Sequence, residues 1–230
     1  MARKSLKKQR KDNIIVRYLF YFAALFFIGL SIFYIYEYST GSVTIDVANT
    51  ITSITVSMMF STVVISYLFL RGKTLSEIIK SLGLSRDRFN RKALFIGVKL
   101  FFIIFLLEII TTLISQYTSV QLPTNVDQIL STEPIYFLIF AAFLAPINEE
   151  IFFRAFLVPR LGIFLSALIF AVLHSGYSSI SELAAALLFG IAAGYYYKKY
   201  GSLYATILAH VTVNFLAIVA FVVVGAGAIS

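Results

Sequence analysis

The sequence predicts an all-α protein, a polytopic transmembrane helix bundle with about seven spans and a cytoplasmic N-terminus. Of its 230 residues, 60% are apolar and 13% are charged, whereas a soluble domain is typically about 45–50% apolar and about 25% charged. The apolar residues form long runs, and about 20 such residues are needed for one spanning helix. Most of the basic residues lie between these runs, which is the pattern of an oriented membrane protein.

Seven runs have the composition of membrane spans. The first is too long for the apolar region of a signal peptide, and no small-residue cleavage site follows it, so we expect a retained helix. The fifth is short and begins after Pro159. No internal repeat or linker interrupts the chain, and residues 1–230 are therefore predicted to form a single integral membrane domain. The seven runs lie near 14–36, 47–70, 93–115, 134–157, 162–175, 180–197 and 202–225.

The positions of the 19 Lys and Arg residues predict the orientation. Seven lie in 1–17, eight lie in 71–99, two lie at the end of the fourth run and two follow the sixth. The remaining connections, 37–46, 116–133 and 176–179, contain none. With seven spans, every basic residue falls on the cytoplasmic side, as the positive-inside rule requires. We therefore attribute the net charge of +8 to membrane orientation, with membrane lipids as partners and no nucleic acid.

The chain contains no cysteine, which excludes several classes of chemistry. A disulfide-stabilised domain, a cysteine-ligated zinc or iron–sulfur site and a thiol nucleophile all need this residue.

A short segment between the second and third runs has helical spacing. Its apolar residues Leu75, Ile78, Ile79 and Leu82 recur at three- and four-residue intervals, and Thr74 with Glu77 resembles a capping box. Two alternatives remain open for 74–84, a helix lying on the cytoplasmic membrane interface and an ordinary loop helix.

Ionisable residues inside the apolar runs are the candidate functional residues, because charge is costly in lipid. At about 1.5 Å per helical residue, the two adjacent glutamates of span four and the histidines of spans five and seven lie about 12–18 Å from the cytoplasmic ends of their helices. Groups that converge at one depth in a bundle mark a buried polar site in the cytoplasmic half of the membrane. For Glu108, which has no basic neighbour within its turn, a structural role is expected. The ionisable residues are Glu108, Glu149, Glu150, Arg154, His174 and His210.

The spacing of these residues assigns different surroundings to the two adjacent glutamates. Glu150 and Arg154 are four residues apart, so they share a helix face and can pair. Glu149 is rotated by about 100° from Glu150, and its own neighbour four residues on is Phe153. Glu149 therefore needs a partner from another helix, for which a histidine is the obvious candidate. A buried carboxylate beside an imidazole is a good general base.

His210 and Asn214 are also four residues apart and share one face of the seventh span. Side by side, an imidazole N–H and an amide N–H can donate hydrogen bonds to an oxyanion.

Three motifs in this order resemble a known family. Glu149-Glu150-Ile-Phe-Phe-Arg154 matches E-E-x-x-x-R, Phe170 to His174 matches F-x-x-x-H, and His210 to Asn214 matches H-x-x-x-N. The chain is therefore similar to the CAAX protease and bacteriocin-processing family (CPBP, or Abi) of intramembrane endopeptidases, which includes the Rce1-like prenyl-protein proteases. The resemblance covers about 135–220 and includes Pro146, just before the first motif.

The resemblance implies an active site. The match to Glu149 would activate the attacking water with help from His174, Glu150 and Arg154 would hold the site, and His210 and Asn214 would stabilise the oxyanion. We expect no cofactor, because the chain lacks H-E-x-x-H and an oxyanion role for Asn needs no metal. The alternative is a zinc enzyme, since two histidines and a glutamate could bind zinc with water in the fourth position.

The expected function is hydrolysis of a peptide bond near the cytoplasmic membrane face. Candidate substrates are the C-terminal tail of a prenylated CaaX protein, a peptide pheromone or bacteriocin precursor, and another membrane protein. A proton-coupled transporter is a second hypothesis, although the sequence shows neither the repeats nor the broken helices that it predicts. A non-catalytic immunity or scaffold protein is a third, and it would be expected to have lost motif residues that are all present here.

Overall fold

The protein is helical throughout the part of the chain that the structure describes. The structure is a computed structural model, and it describes residues 2–117, 133–175 and 180–227. The predicted connections over 118–132 and 176–179 lie outside the described residues. These residues group into two compact units, Met1–Leu82 and Gly83–Ser230, and the single membrane domain over 1–230 stays a prediction.

The first unit consists of two long helices followed by a short one: α1 (Ala2–Ser39), α2 (Ile45–Leu70) and α3 (Leu75–Ser81). Helices α1 and α2 pack against each other, with a buried hydrogen bond between the hydroxyls of Ser31 and Thr55 at 2.8 Å. Large apolar side chains such as Phe22 and Leu25 point outwards and are exposed. A helix that is apolar on every side suits a lipid environment.

The capping box predicted from Thr74 and Glu77 is confirmed at the start of α3. The Thr74 hydroxyl accepts a hydrogen bond from the Glu77 backbone N–H, and the Glu77 carboxylate accepts one from the Thr74 backbone N–H. These bonds from Thr74 to the ionised carboxylate lower the pKa of Glu77. The helix end thus has two of its free N–H groups satisfied.

The second unit contains every candidate site residue. A 3₁₀ turn (Arg86–Arg88) leads into α4 (Arg91–Tyr117). Then follow α5 (Ile135–Ile139), a first π-helical segment (Phe140–Leu144), α6 (Ala145–Glu150), a second π-helical segment (Ile151–Leu157) and α7 (Val158–Leu173). Helices α8 (Ile180–Tyr200) and α9 (Leu203–Gly227) complete the unit.

Among the described residues, five segments are long and apolar enough to cross a membrane, by length and composition. They are Ile14–Ser39, Asp46–Leu70, Arg91–Ile114, Ile135–Leu173 and Leu203–Val223. The fourth segment has 39 residues and covers nearly all of the fourth and fifth predicted spans. Its backbone leaves helical geometry at Gly162, where the fifth predicted span begins and where φ is 80° and ψ is 174°. The all-helical fold is confirmed, whereas the count of seven and the cytoplasmic N-terminus stay predictions.

Small residues let the helices around the site approach closely. A Cβ added to Gly190 of α8 would lie 2.8 Å from the Cβ of Ala167 in α7, and one added to Gly97 of α4 would lie 2.9 Å from the carbonyl oxygen of Ala205 in α9. Gly194 likewise faces Val158 and Ile163. The G-x-x-x-G pair on α8 is therefore used for helix packing inside this unit.

The substitution Gly190→Ala is expected to lower the free energy of unfolding by about 1–3 kcal/mol, the usual cost of overpacking. The new methyl group would meet both the backbone and the side chain of Ala167. Gly29→Ala is the matched control, because Gly29 is also helical but has no atom within 4 Å of an added Cβ. Unfolding in detergent would measure both, and equal stabilities of the two variants would contradict the close approach.

Candidate active site

A fully buried ion pair lies at the junction of α6 and the second π-helical segment. The Nε atom of Arg154 is 3.2 Å from Oε2 of Glu150, and neither side chain is exposed. This confirms the pairing predicted from their four-residue spacing. Removing two ions from water costs several kcal/mol each, and their attraction offsets that cost only with further partners nearby.

Aromatic rings from two other helices enclose the guanidinium group of Arg154. Its central carbon lies 4.7 Å from the ring centre of Phe170 in α7 and 5.2 Å from that of Phe189 in α8. Within the described residues its three nitrogens make no hydrogen bond, so the ring faces and Glu150 supply its stabilisation. A desolvated cation over an aromatic face gains about 2 kcal/mol.

His210 of α9 joins both glutamates. Its Nδ1 is 3.1 Å from Oε1 of Glu150, and its Nε2 is 3.7 Å from Oε2 of Glu149. Because an ionised carboxylate only accepts hydrogen bonds, Nδ1 is the donor towards Glu150.

The two adjacent glutamates therefore have different surroundings, as their rotation around the helix predicts. Glu150 is wholly buried and is bound by Arg154 and His210. The Glu149 side chain is 17% exposed, and its partner from another helix is a histidine. The sequence did not identify that histidine, and the structure places His210 there.

His174 ends α7 beside the same aromatic cluster. Its Nδ1 is 2.8 Å from the carbonyl oxygen of Phe170, and its ring centre is 4.3 Å from that of the Phe170 side chain. A carbonyl only accepts, so Nδ1 is the donor in this hydrogen bond. Phe170 also contacts His210, with ring centres 6.0 Å apart, so the two histidines flank one phenylalanine.

Asn214 is anchored to the helix that carries the first motif. Its Nδ2 donates a hydrogen bond to the backbone carbonyl of Ala141 at 2.9 Å. The amide has a second N–H, and this group is the one available to a ligand. The sequence places Asn214 on the His210 face of α9, and the structure adds the contact with Ala141.

Two further carboxylates interact with the histidines. Glu182, at the start of α8, interacts electrostatically with His174. Glu108 of α4 interacts electrostatically with Glu182 and with His210. Sequence reasoning identified Glu108 but omitted Glu182, although it lies within the sixth predicted span and could have been found by the same criterion.

Among the residues that the structure describes, no group of three or more His, Cys, Asp or Glu side chains is arranged to hold a metal ion.

Comparison with known proteins finds one family to which the segment carrying this site is similar. Residues 131–216 match the family model described as Type II CAAX prenyl endopeptidase Rce1-like. This segment contains all three motifs, and the match supports the assignment of the chain to the CPBP/Rce1-like CAAX protease family. The matched segment is therefore similar to CAAX-type intramembrane peptidases, and the apolar helices of the described residues are long enough for an integral membrane protein. No curated protein and no solved structure matches the chain.

Replacing Arg154 by Met should lower the free energy of unfolding by about 3–5 kcal/mol, because it leaves the Glu150 carboxylate buried without its ion-pair partner. The double variant Glu150→Gln/Arg154→Met, which removes both charges, should recover most of that loss. Arg160→Met is the control, since Arg160 is exposed and stacks on Phe156 outside the buried pair. Denaturation in detergent would show the order, and a double variant no more stable than Arg154→Met would contradict it.

Proposed function

We propose that the protein is an endopeptidase that hydrolyses a peptide bond with a water molecule activated by Glu149. The observation that carries the proposal is the different surroundings of the two adjacent glutamates. Glu150 is paired with Arg154 and His210 and has no exposed surface. Glu149 is partly exposed and lies beside an imidazole nitrogen, which is the arrangement that a general base needs.

In the proposed reaction, Glu149 takes a proton from water while the water oxygen attacks the carbonyl carbon of the substrate. The N–H groups of His210 Nε2 and Asn214 Nδ2 donate to the oxyanion that forms. Glu149 then returns the proton to the leaving nitrogen as the C–N bond breaks. Each oxyanion donor typically contributes about 10²–10³ in rate.

The two histidines have different proposed roles because their hydrogen bonds differ. His210 donates to Glu150 through Nδ1, and its proposed donor to an oxyanion is an N–H at Nε2. His174 donates to the Phe170 carbonyl through Nδ1, and its Nε2 is proposed to orient the attacking water. This assignment keeps the help from His174 that the family resemblance implies.

The proposed mechanism uses no metal. It is supported by the residues of the described ranges, which form no three-ligand group. The proposed substrate is the C-terminal tail of a prenylated CaaX protein, as the description of the matched family suggests. The active site is proposed to lie in the cytoplasmic half of the membrane.

The Glu149→Gln variant should lose at least about 10³-fold in hydrolysis, since amide side chains accept no proton and general-base catalysis contributes about 10²–10⁴. The assay would use purified protein in liposomes with a fluorogenic farnesylated CaaX peptide and its unprenylated form. Glu37→Gln, a carboxylate-to-amide change in α1 outside the site, is the control. Full activity of Glu149→Gln would show that another group is the base. Equal cleavage of both peptides would show that the enzyme does not require a prenylated substrate.

Chelation tests the metal-free mechanism in the same assay. Dialysis of the wild-type protein against a strong chelator is expected to leave the hydrolysis rate unchanged. A loss of rate that added zinc restores would reject the mechanism in favour of a metallopeptidase. Measurement of zinc content in the same dialysed samples provides the control for complete removal.

A further inference from the structure

One backbone carbonyl in the helix before Glu149 loses its regular hydrogen-bond donor. In the first π-helical segment, the N–H of Ala145 bonds to the carbonyl of Phe140, five residues earlier. The next bond in this register would join the carbonyl of Ala141 to the N–H of residue 146. That residue is Pro146, and proline has no N–H.

The side chain of Asn214 occupies the acceptor that Pro146 leaves. Its Nδ2 donates to the Ala141 carbonyl at 2.9 Å, across 73 positions of sequence. Since a carbonyl can only accept, this contact also fixes which end of the amide faces the helix. The oxygen Oδ1 and the second N–H are thereby directed away from Ala141.

We propose that Pro146 is a positioning residue that acts through Asn214. The inference rests on the proposed function, in which the second N–H of Asn214 donates to the oxyanion. Pro146 lies three residues before Glu149 on α6 and is fully buried. One proline thus links the orientation of the amide donor to the helix that carries the base.

The physical reason is competition for one acceptor. With any other residue at 146, a backbone N–H would be present five residues after Ala141, at the distance that the π register bonds. The Asn214 amide would then share or lose its anchor and could rotate. Loss of a fixed orientation reduces the benefit of a preorganised donor.

Pro159 provides a matched comparison. Pro159 lies two residues after the second π-helical segment, as Pro146 lies two residues after the first. The N–H of Val158 bonds to the carbonyl of Phe153, five residues earlier, and Pro159 is the next residue. The Phe153 carbonyl also accepts from the hydroxyl of Ser166 at 2.8 Å. Pro159 is exposed, and the acceptor that it leaves in this register is the Arg154 carbonyl, whereas the Asn214 amide bonds to Ala141.

A double-mutant cycle tests the proposal with the farnesylated peptide. Pro146→Ala is expected to lower kcat about 10-fold with KM unchanged, a part of the about 10²–10³ expected for Asn214→Ala. In the Asn214→Ala background, Pro146→Ala should have no further effect on kcat, because it acts through that side chain. Pro159→Ala should stay within about threefold of wild type. Additive effects of Pro146→Ala and Asn214→Ala would overturn the proposal.

A second measurement is independent of turnover. In protein labelled with ¹⁵N-asparagine, the side-chain NH₂ signals of Asn214 are assigned by their loss in Asn214→Ala. In Pro146→Ala they should shift and exchange faster with solvent, while Pro159→Ala leaves them in place. Unchanged signals in Pro146→Ala would overturn the inference. If the wild-type protein cleaves no peptide, the proposed function fails, and these signals still decide whether Pro146 positions Asn214.

Discussion

The buried ion pair of Glu150 and Arg154 is the interaction on which the arrangement of the site depends. Two ions without exposed surface would be strongly destabilising if they were not compensated inside the bundle. The compensation comes from three other helices, through Phe170 of α7, Phe189 of α8 and His210 of α9. These helices must therefore converge on the first motif. Close approach of α8 to α7 at Gly190 makes part of that convergence possible. The same helix packing therefore stabilises the bundle and assembles the site.

The hydrogen bond between His210 and Glu150 connects this framework to the proposed chemistry. Once Nδ1 is held by the buried carboxylate, the other ring nitrogen is directed towards Glu149. The orientation of the imidazole is thus set by a residue that needs no contact with substrate. Asn214 is held in a similar way, by a backbone carbonyl instead of a carboxylate. Both proposed oxyanion donors are oriented by groups on the helix that carries the two glutamates.

The sequence predicted the parts of the structure that depend on local spacing. Long apolar runs predicted the helices, and four-residue spacing predicted the contact of Glu150 with Arg154. Which histidine faces Glu149 could not be predicted, because this depends on how α9 packs on α6. The two π-helical segments were also missed, since π-helix is rare and has no strong composition signal. A signal existed in hindsight: Pro146 and Pro159 each interrupt the donors of an otherwise continuous helix.

The different surroundings of the two glutamates favour hydrolysis over transport. A proton relay needs carboxylates that exchange partners as protons move. Glu150 is held by Arg154 and His210 together, so releasing it would leave a buried cation without its ion-pair partner. Glu149 is partly exposed and lies beside His210, so the proposed base stands outside that ion pair. A fixed framework beside a single reactive carboxylate is the arrangement that a hydrolytic site requires, because its donors must stay in place while the base changes charge.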